Sequence, residues 1–245
     1  MTHTDAPDDR SAGDPNAGVG PTGPGPAEDD EDLRAADGRV PGRRGRATRQ
    51  KLLECTLTML ETQTYRDLKV VDIAREAGTS PATFYQYFPD VTTAIVALAE
   101  EMATQGEAEL VALVKDGPWK GAGGFATATA IAHGYVRFWE EHWPLMRVLD
   151  LTSAEGDQRF RSIRTRRLNQ FTVALSEVIA AEQASGRQQS GLEPMATASV
   201  MVSMLAHVAS HRYGFEFYGI KTADLEESMA HIVFVTVTGQ RPPKP

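Results

Sequence analysis

Cysteine is almost absent: Cys55 stands alone in 245 residues, so a disulfide framework within the chain is excluded. A lone thiol suits a reducing compartment, and its plain reading is a small apolar residue in a helix. No apolar run approaches the roughly 18 residues needed to cross a bilayer. The first residues are acidic and lack the apolar stretch of a secretory signal. A cytoplasmic protein without a membrane partner is the expectation. The Gly-x-Ser-x-Gly elbow, the phosphate-binding P-loop and the dinucleotide fingerprint are all missing. Neither catalysis nor a cofactor is therefore expected. There is no internal repeat, and strand-like alternation is scarce.

Charge is present but unevenly placed. Residues 1–38 hold ten acids against Arg10 and Arg34, which accounts for the whole formal charge of −8. The rest of the chain carries 23 basic and 23 acidic residues and is neutral. The stretch GDPNAGVGPTGPGPAEDDEDL is too poor in apolar surface to offset chain entropy. Residues 1–40 are therefore expected to be a disordered acidic tail. The sign then flips: RVPGRRGRATRQK, residues 39–51, has six basic residues and no acid. It reads as a Gly/Pro-broken arm leading into a helix that Thr48 or a neighbour caps.

Apolar spacing predicts helices throughout. Leu53, Thr56, Leu57 and Leu60 predict one over 47–62. Val70, Ile73, Ala74 and Ala77 predict a second over 70–77, ended by Gly78 in the left-handed region. Ser80 and Pro81 open a third over 81–87, with Phe84 and Phe88 turned inward and Pro89 as its stop. A fourth runs over 91–106, followed by a loop at GPWKGAGG. Further helices are expected over 125–142, 144–153, 157–184, 194–217 and 222–238. The segment IVFVTVT has strand propensity, but its amphipathic lead-in LEESMAHI favours helix. The fold class is all-α.

Two helices joined by a short Gly-containing turn form a helix-turn-helix pattern, whose second helix enters the major groove of DNA. Its polar cluster suits that task. Thr83 can meet a base edge or a thymine methyl, and Gln86 can pair with adenine. Tyr85 and Tyr87 can reach phosphates. Thr79, Ser80 and Pro81 at the helix start can lie along the backbone. Arg43, Arg44 and Arg46, with Thr48, can follow phosphates or enter a narrow minor groove. The competing readings are an ordinary helical hairpin with surface tyrosines and a solvated basic linker.

The stretches ATRQKLLECTLTMLETQTY, VVDIAREAGTSPATFYQYF and TTAIVALAEE resemble the DNA-binding domain of the TetR family of bacterial one-component repressors. The resemblance is strong over residues 46–100. It implies an all-α homodimer with a helix-turn-helix head over 41–100 and a ligand-binding and dimerisation domain over 101–240. It also implies a double-stranded operator and a small-molecule effector as partners. Three positions depart from the family pattern: Thr64 replaces the usual Gly, Lys69 stands where a small hydroxyl residue caps the second helix, and Val91 replaces a phosphate-touching lysine. The cap is expected to shift to Asp67, and the arginine-rich arm to compensate for the lost contact.

The effector site is expected among the helices from 125 to 217. Tyr135, Phe138, Trp139, His142 and Trp143 crowd one helix, and Met201, Met204, His207 and His211 another. Met and aromatics line adaptable apolar cavities, although ordinary core is the competing reading for each. His207 and His211 also have metal-ligand spacing, but HVASH lacks a hydrolase glutamate, and no metal is expected. Five arginines within 159–167 fall around their helix, as on a solvated surface, with an anionic contact as the lesser reading. The last two helices are the candidates for the dimer seam. A repressor released by a mostly apolar effector is the leading expectation. Regulation without an effector, by a corepressor, or by activation stands beside it.

Overall fold

A computed structural model describes residues 42–189 and 191–243. The expected disordered tail over 1–40 lies outside the described residues. Nine helices and no strand occur among those described: α1 Arg43–Thr62, α2 Val70–Glu76, α3 Pro81–Tyr87, α4 Val91–Asp116, α5 Gly121–Glu141, α6 Trp143–Glu155, α7 Gln158–Ala184, α8 Pro194–Phe217 and α9 Thr222–Thr238. The protein is all-α, and the IVFVTVT segment is helical within α9. No described helix is long and apolar enough to cross a membrane.

Helices α1–α3 form a small head closed by Leu52, Leu53, Leu60, Ile73, Phe84 and Ile95, all fully buried. The most extensive packing in the rest of the chain joins α4 to α7, α5 to α9 and α7 to α8. Aromatic and aliphatic side chains fill that interior. Tyr135 packs 5.3 Å from Phe171, and Phe125 meets Phe234 edge-on at 5.7 Å. Cys55 packs against the core. Burial, with Glu76 adding to it, pushes its thiol above the usual range and keeps it protonated.

Three helix boundaries differ from expectation, two of them for a packing reason. α1 begins at Arg43 with Gly42 as its cap, so Arg43, Arg44 and Arg46 sit in its first turns rather than on an irregular arm. Thr48 does not cap it. That residue lies inside the helix and donates to the Arg44 carbonyl at 3.1 Å. α4 continues ten residues past its expected end at 106. Gly106 is not a stop: a Cβ there would collide with the Phe138 ring, so the glycine lets α5 approach. α4 therefore runs unbroken through residue 100, where a boundary between two units was expected. α5 starts at Gly121, inside the predicted loop. Gly124 sits in close contact with the Trp119 backbone, and Trp119 donates its indole N–H to the Val114 carbonyl at 3.0 Å.

Candidate nucleic-acid interface

The turn between α2 and α3 is closed by the backbone. Thr79 N–H donates to the Ala74 carbonyl at 2.8 Å, and Gly78 N–H to the Arg75 carbonyl at 3.0 Å. Gly78 takes φ 68°, which a Cβ would oppose. Ser80 Oγ accepts from Thr83 N–H at 3.1 Å, and Pro81 follows at the first helical position. Phe84 and Phe88 face the core with ring centroids 5.6 Å apart. The opposite face then turns outward by geometry alone. Tyr85 is 52% exposed, and Pro81, Ala82 and Gln86 are exposed with it. Thr83 is half-buried, its hydroxyl 3.0 Å from Ser80 Oγ. Tyr87 is half-buried against the core. Thr79 is half-buried too, and its hydroxyl contacts the Ala74 carbonyl at 3.4 Å.

Arg43, Arg44 and Arg46 are exposed at the start of α1. Arg49 is not: it lies 3.3 Å from Glu101 and 5.3 Å over the Phe88 ring, tying α1 to α3 and α4. The cap of α2 does not shift to Asp67. Lys69 occupies the cap position without a side-chain bond, while Asp67 accepts from the Thr64 hydroxyl at 2.7 Å. Asp90 caps α4, accepting from Thr93 N–H at 2.7 Å, with Val91 next. A cleft of about 500 Å³ lies between these starts, lined by Arg66, Lys69, Val71, Tyr85 and Thr92 among others.

The residues expected to line an effector site do not all converge. Tyr135, Phe138, Trp139 and Met201 are buried. His142 and Met204 are half-buried, and the His142 ring stacks on Phe138 at 4.5 Å. Trp143 is exposed, lying under the Arg147 guanidinium at 4.8 Å. His207 and His211 are exposed as well. They sit on the face of α8 opposite Leu205, Ala209 and Arg212, which α8 turns inward. The expectation that these two histidines line the interior is corrected by helix phase. Ser153, which spacing did not single out, is buried with no hydrogen-bond partner for its hydroxyl.

A family model described as "Bacterial regulatory proteins, tetR family" matches residues 52–90. A second, "Tetracyclin repressor-like, C-terminal domain", matches 110–244, more than half of the chain. The chain belongs to the TetR family. A curated relative, an uncharacterized HTH-type transcriptional regulator of Haemophilus influenzae, is 25% identical over 133 residues, 54% of this chain and 63% of its own length. The chain thus spans less than two thirds of that relative. Among solved structures, the fatty acid degradation regulator FadR of Bacillus halodurans aligns with a TM-score of 0.61. The identity is 13%, covering 80% of this chain and 97% of that one. FadR of Bacillus subtilis, in complex with stearoyl-CoA, aligns with a TM-score of 0.59 at 15% identity, covering 78% and 99%. These likenesses show a shared fold. The family is described as one of bacterial regulatory proteins.

In this TetR-family protein the head and the bundle are joined by contacts that sequence spacing could not reveal. Arg66, before α2, hydrogen-bonds Glu155 at the end of α6, and Tyr65 donates to the same carboxylate at 3.3 Å. The Arg66 bond holds the Glu155 carboxyl below the usual carboxylate range. Glu155→Gln is expected to speed amide exchange over residues 63–69 while leaving the bundle interior protected. Unchanged exchange there would show that the clasp does not order the α1–α2 turn. The α7 arginines are largely spoken for: Arg159 by Asp157 at 2.8 Å, Arg164 by Asp150 at 3.7 Å and Arg166 by Glu100 at 2.8 Å. Arg161 donates to the Ser153 carbonyl at 2.9 Å. An ion pair between buried Arg212 and exposed Glu140, at 3.1 Å, ties α8 to α5.

Proposed function

We propose that this regulator is a homodimeric repressor that leaves a palindromic operator when a small, mostly apolar effector binds. The observation that carries the reading is the outward face of α3, where Tyr85 and Gln86 stand exposed on a helix held rigidly by its inner phenylalanines. Gln86 reads a base edge, and Tyr85 grips a phosphate. The start of α1 supports this. Its first turn holds no acid, and arginines there oppose the helix dipole. A phosphate lying across the turn relieves that repulsion.

The exposed face of α8 and α9 supports dimerisation. Val200 is 71% exposed, Ile232 45% and Val235 44%. Beside them run small residues, Ser199, Ser203 and Ser228, which let helices approach closely. A second copy across a twofold axis is the occupant that suits a face with an apolar stripe, whose acids Asp224 and Glu227 lie in the first turns of α9. For the effector, Tyr135, Phe138, Trp139 and Met201 offer an apolar interior between α5, α7 and α8. The stearoyl-CoA carried by the Bacillus subtilis neighbour is of a kind that such an interior suits. An effector acts by favouring the spacing of heads that does not fit the operator.

The test is selection of binding sites from a random DNA pool with purified protein. A palindrome with half-sites about 10 base pairs or more apart is expected. No enriched site would overturn the reading. Gln86→Ala is expected to cost about 1–3 kcal/mol and to relax preference at one or two positions. Tyr85→Phe is expected to weaken all sites alike. An unchanged consensus for the first, or a relaxed one for the second, would reverse these roles.

A further inference from the structure

We propose that His207 and His211, with the same two residues of a second copy, form a site for one divalent cation of the zinc class on the twofold axis. The inference rests on the reading of α8 and α9 as the dimer seam.

Helix phase supplies the first observation. Val200, Ser203, His207, His211 and Gly214 recur at intervals of three and four residues, and each is exposed. They occupy the middle of the face that α8 turns away from its own core. His207 also lies near the midpoint of α8, and a twofold axis crossing the helix there would bring two copies closest at that residue. The two imidazoles are thus set where each would meet its counterpart.

The rings supply the second. Their centroids are 4.0 Å apart with planes 23° from parallel, so both side chains already leave the helix in the same direction. His211 Nδ1 lies 3.0 Å from the His207 carbonyl and 2.6 Å from Ser210 Oγ. Ser210 in turn donates to the His207 carbonyl at 2.9 Å. A carbonyl accepting from Nδ1–H selects the tautomer whose Nε2 keeps its lone pair. That is the arrangement in which metal-binding histidines are commonly held. A helical pair one turn apart can present two nitrogens to one ion.

One chain is incomplete. Among the described residues no group of three or more His, Cys, Asp or Glu side chains is arranged to hold a metal ion. Twofold symmetry supplies what is missing. Two imidazoles from each copy make four neutral nitrogen ligands, the number a tetrahedral zinc site takes. The bound cation would then stabilise the dimer by mass action, since it binds only the assembled state with all four ligands.

The experiment uses the full chain without a polyhistidine tag, stripped with a chelator. Sedimentation of the stripped protein first tests the seam by itself. Zn²⁺ is then titrated calorimetrically into wild type, His207→Gln and His211→Gln, and Co²⁺ is added as a spectroscopic probe. The expected result is one zinc per two chains and the visible bands of tetrahedral cobalt. Each variant should stay folded and lose affinity by more than the roughly 10–100-fold that an outer-shell partner costs. A stripped monomer that zinc converts to a dimer would support both readings. A dimer whose zinc binding is the same in wild type and both variants would overturn the site and leave the seam standing. One zinc per chain, dependent on both histidines, would overturn the shared arrangement. A monomer with and without zinc would overturn the seam and the site together.

Discussion

Val235→Glu is expected to convert the proposed dimer to monomers and to lower operator affinity by at least about a hundredfold. Val235 sits on the outer face of α9, one turn from Ile232. Its neighbours Val233, Phe234 and Val237 are fully buried and hold α9 on the bundle. The substitution therefore leaves the chain's own core untouched. In an assembled seam, however, it places a carboxylate in apolar surroundings, and twofold symmetry places a second one beside it. Burying such a charge without a partner costs several kcal/mol, enough to reverse the association of a modest interface. Operator affinity falls because a single head holds one half-site and loses the effective concentration that a linked second head provides. Sedimentation velocity reads the mass, and fluorescence anisotropy with operator DNA reads the affinity. A variant that stays dimeric at wild-type affinity would remove α9 from the seam.

Phe84→Ala is expected to cost about 3–5 kcal/mol and to abolish specific DNA binding while the bundle stays folded. Phe84 is fully buried and meets Phe88 at 5.6 Å. α3 has only seven residues, far below the length at which a helix holds by itself in water. Its rigidity comes from this packing, from the Ser80 cap and from the Gly78 turn. Removing the ring leaves a cavity beneath the face that carries Tyr85 and Gln86. Those side chains then lose the fixed spacing that base reading needs. Hydrogen exchange should rise across residues 70–88 and remain slow in α5 and α8. Denaturant unfolding gives the magnitude. The contrast with Gln86→Ala is the control, since that exposed change should alter DNA binding without altering stability. Equal losses of stability in the two would show that DNA binding reports folding and not contact.

The helix-turn-helix was legible because each of its signals is local. A left-handed glycine, a serine cap, a proline at the first position and two phenylalanines one turn apart all lie within eleven residues. The structure realises each where it was read. The ends of α4 and α5 were misplaced because they depend on side chains that periodicity does not register. Gly106 looks like a terminator until Phe138 is seen against it, and the glycines of residues 121–124 look like a loop until Trp119 is seen beside them. Arg49 looked like one more member of a basic arm, yet it pairs with Glu101, fifty-two residues on. His207 and His211 looked like members of a paved interior because α8 is apolar on most of its surface. Such a helix carries no phase of its own that says which side faces in.

Residue order by itself determined the all-α class, the turn geometry of the head, the family and the outward chemistry of α3. These follow from backbone preferences and apolar periodicity over a few residues, which act at short range. Tertiary structure decided which glycines end helices and which admit a neighbouring ring. It also set which arginines are exposed at α1, how Arg66 and Glu155 join the head to α6, and which side of α8 faces outward. Those outcomes depend on which surfaces are brought together by packing, and packing joins residues that the chain separates by as many as 89 positions, as with Arg66 and Glu155.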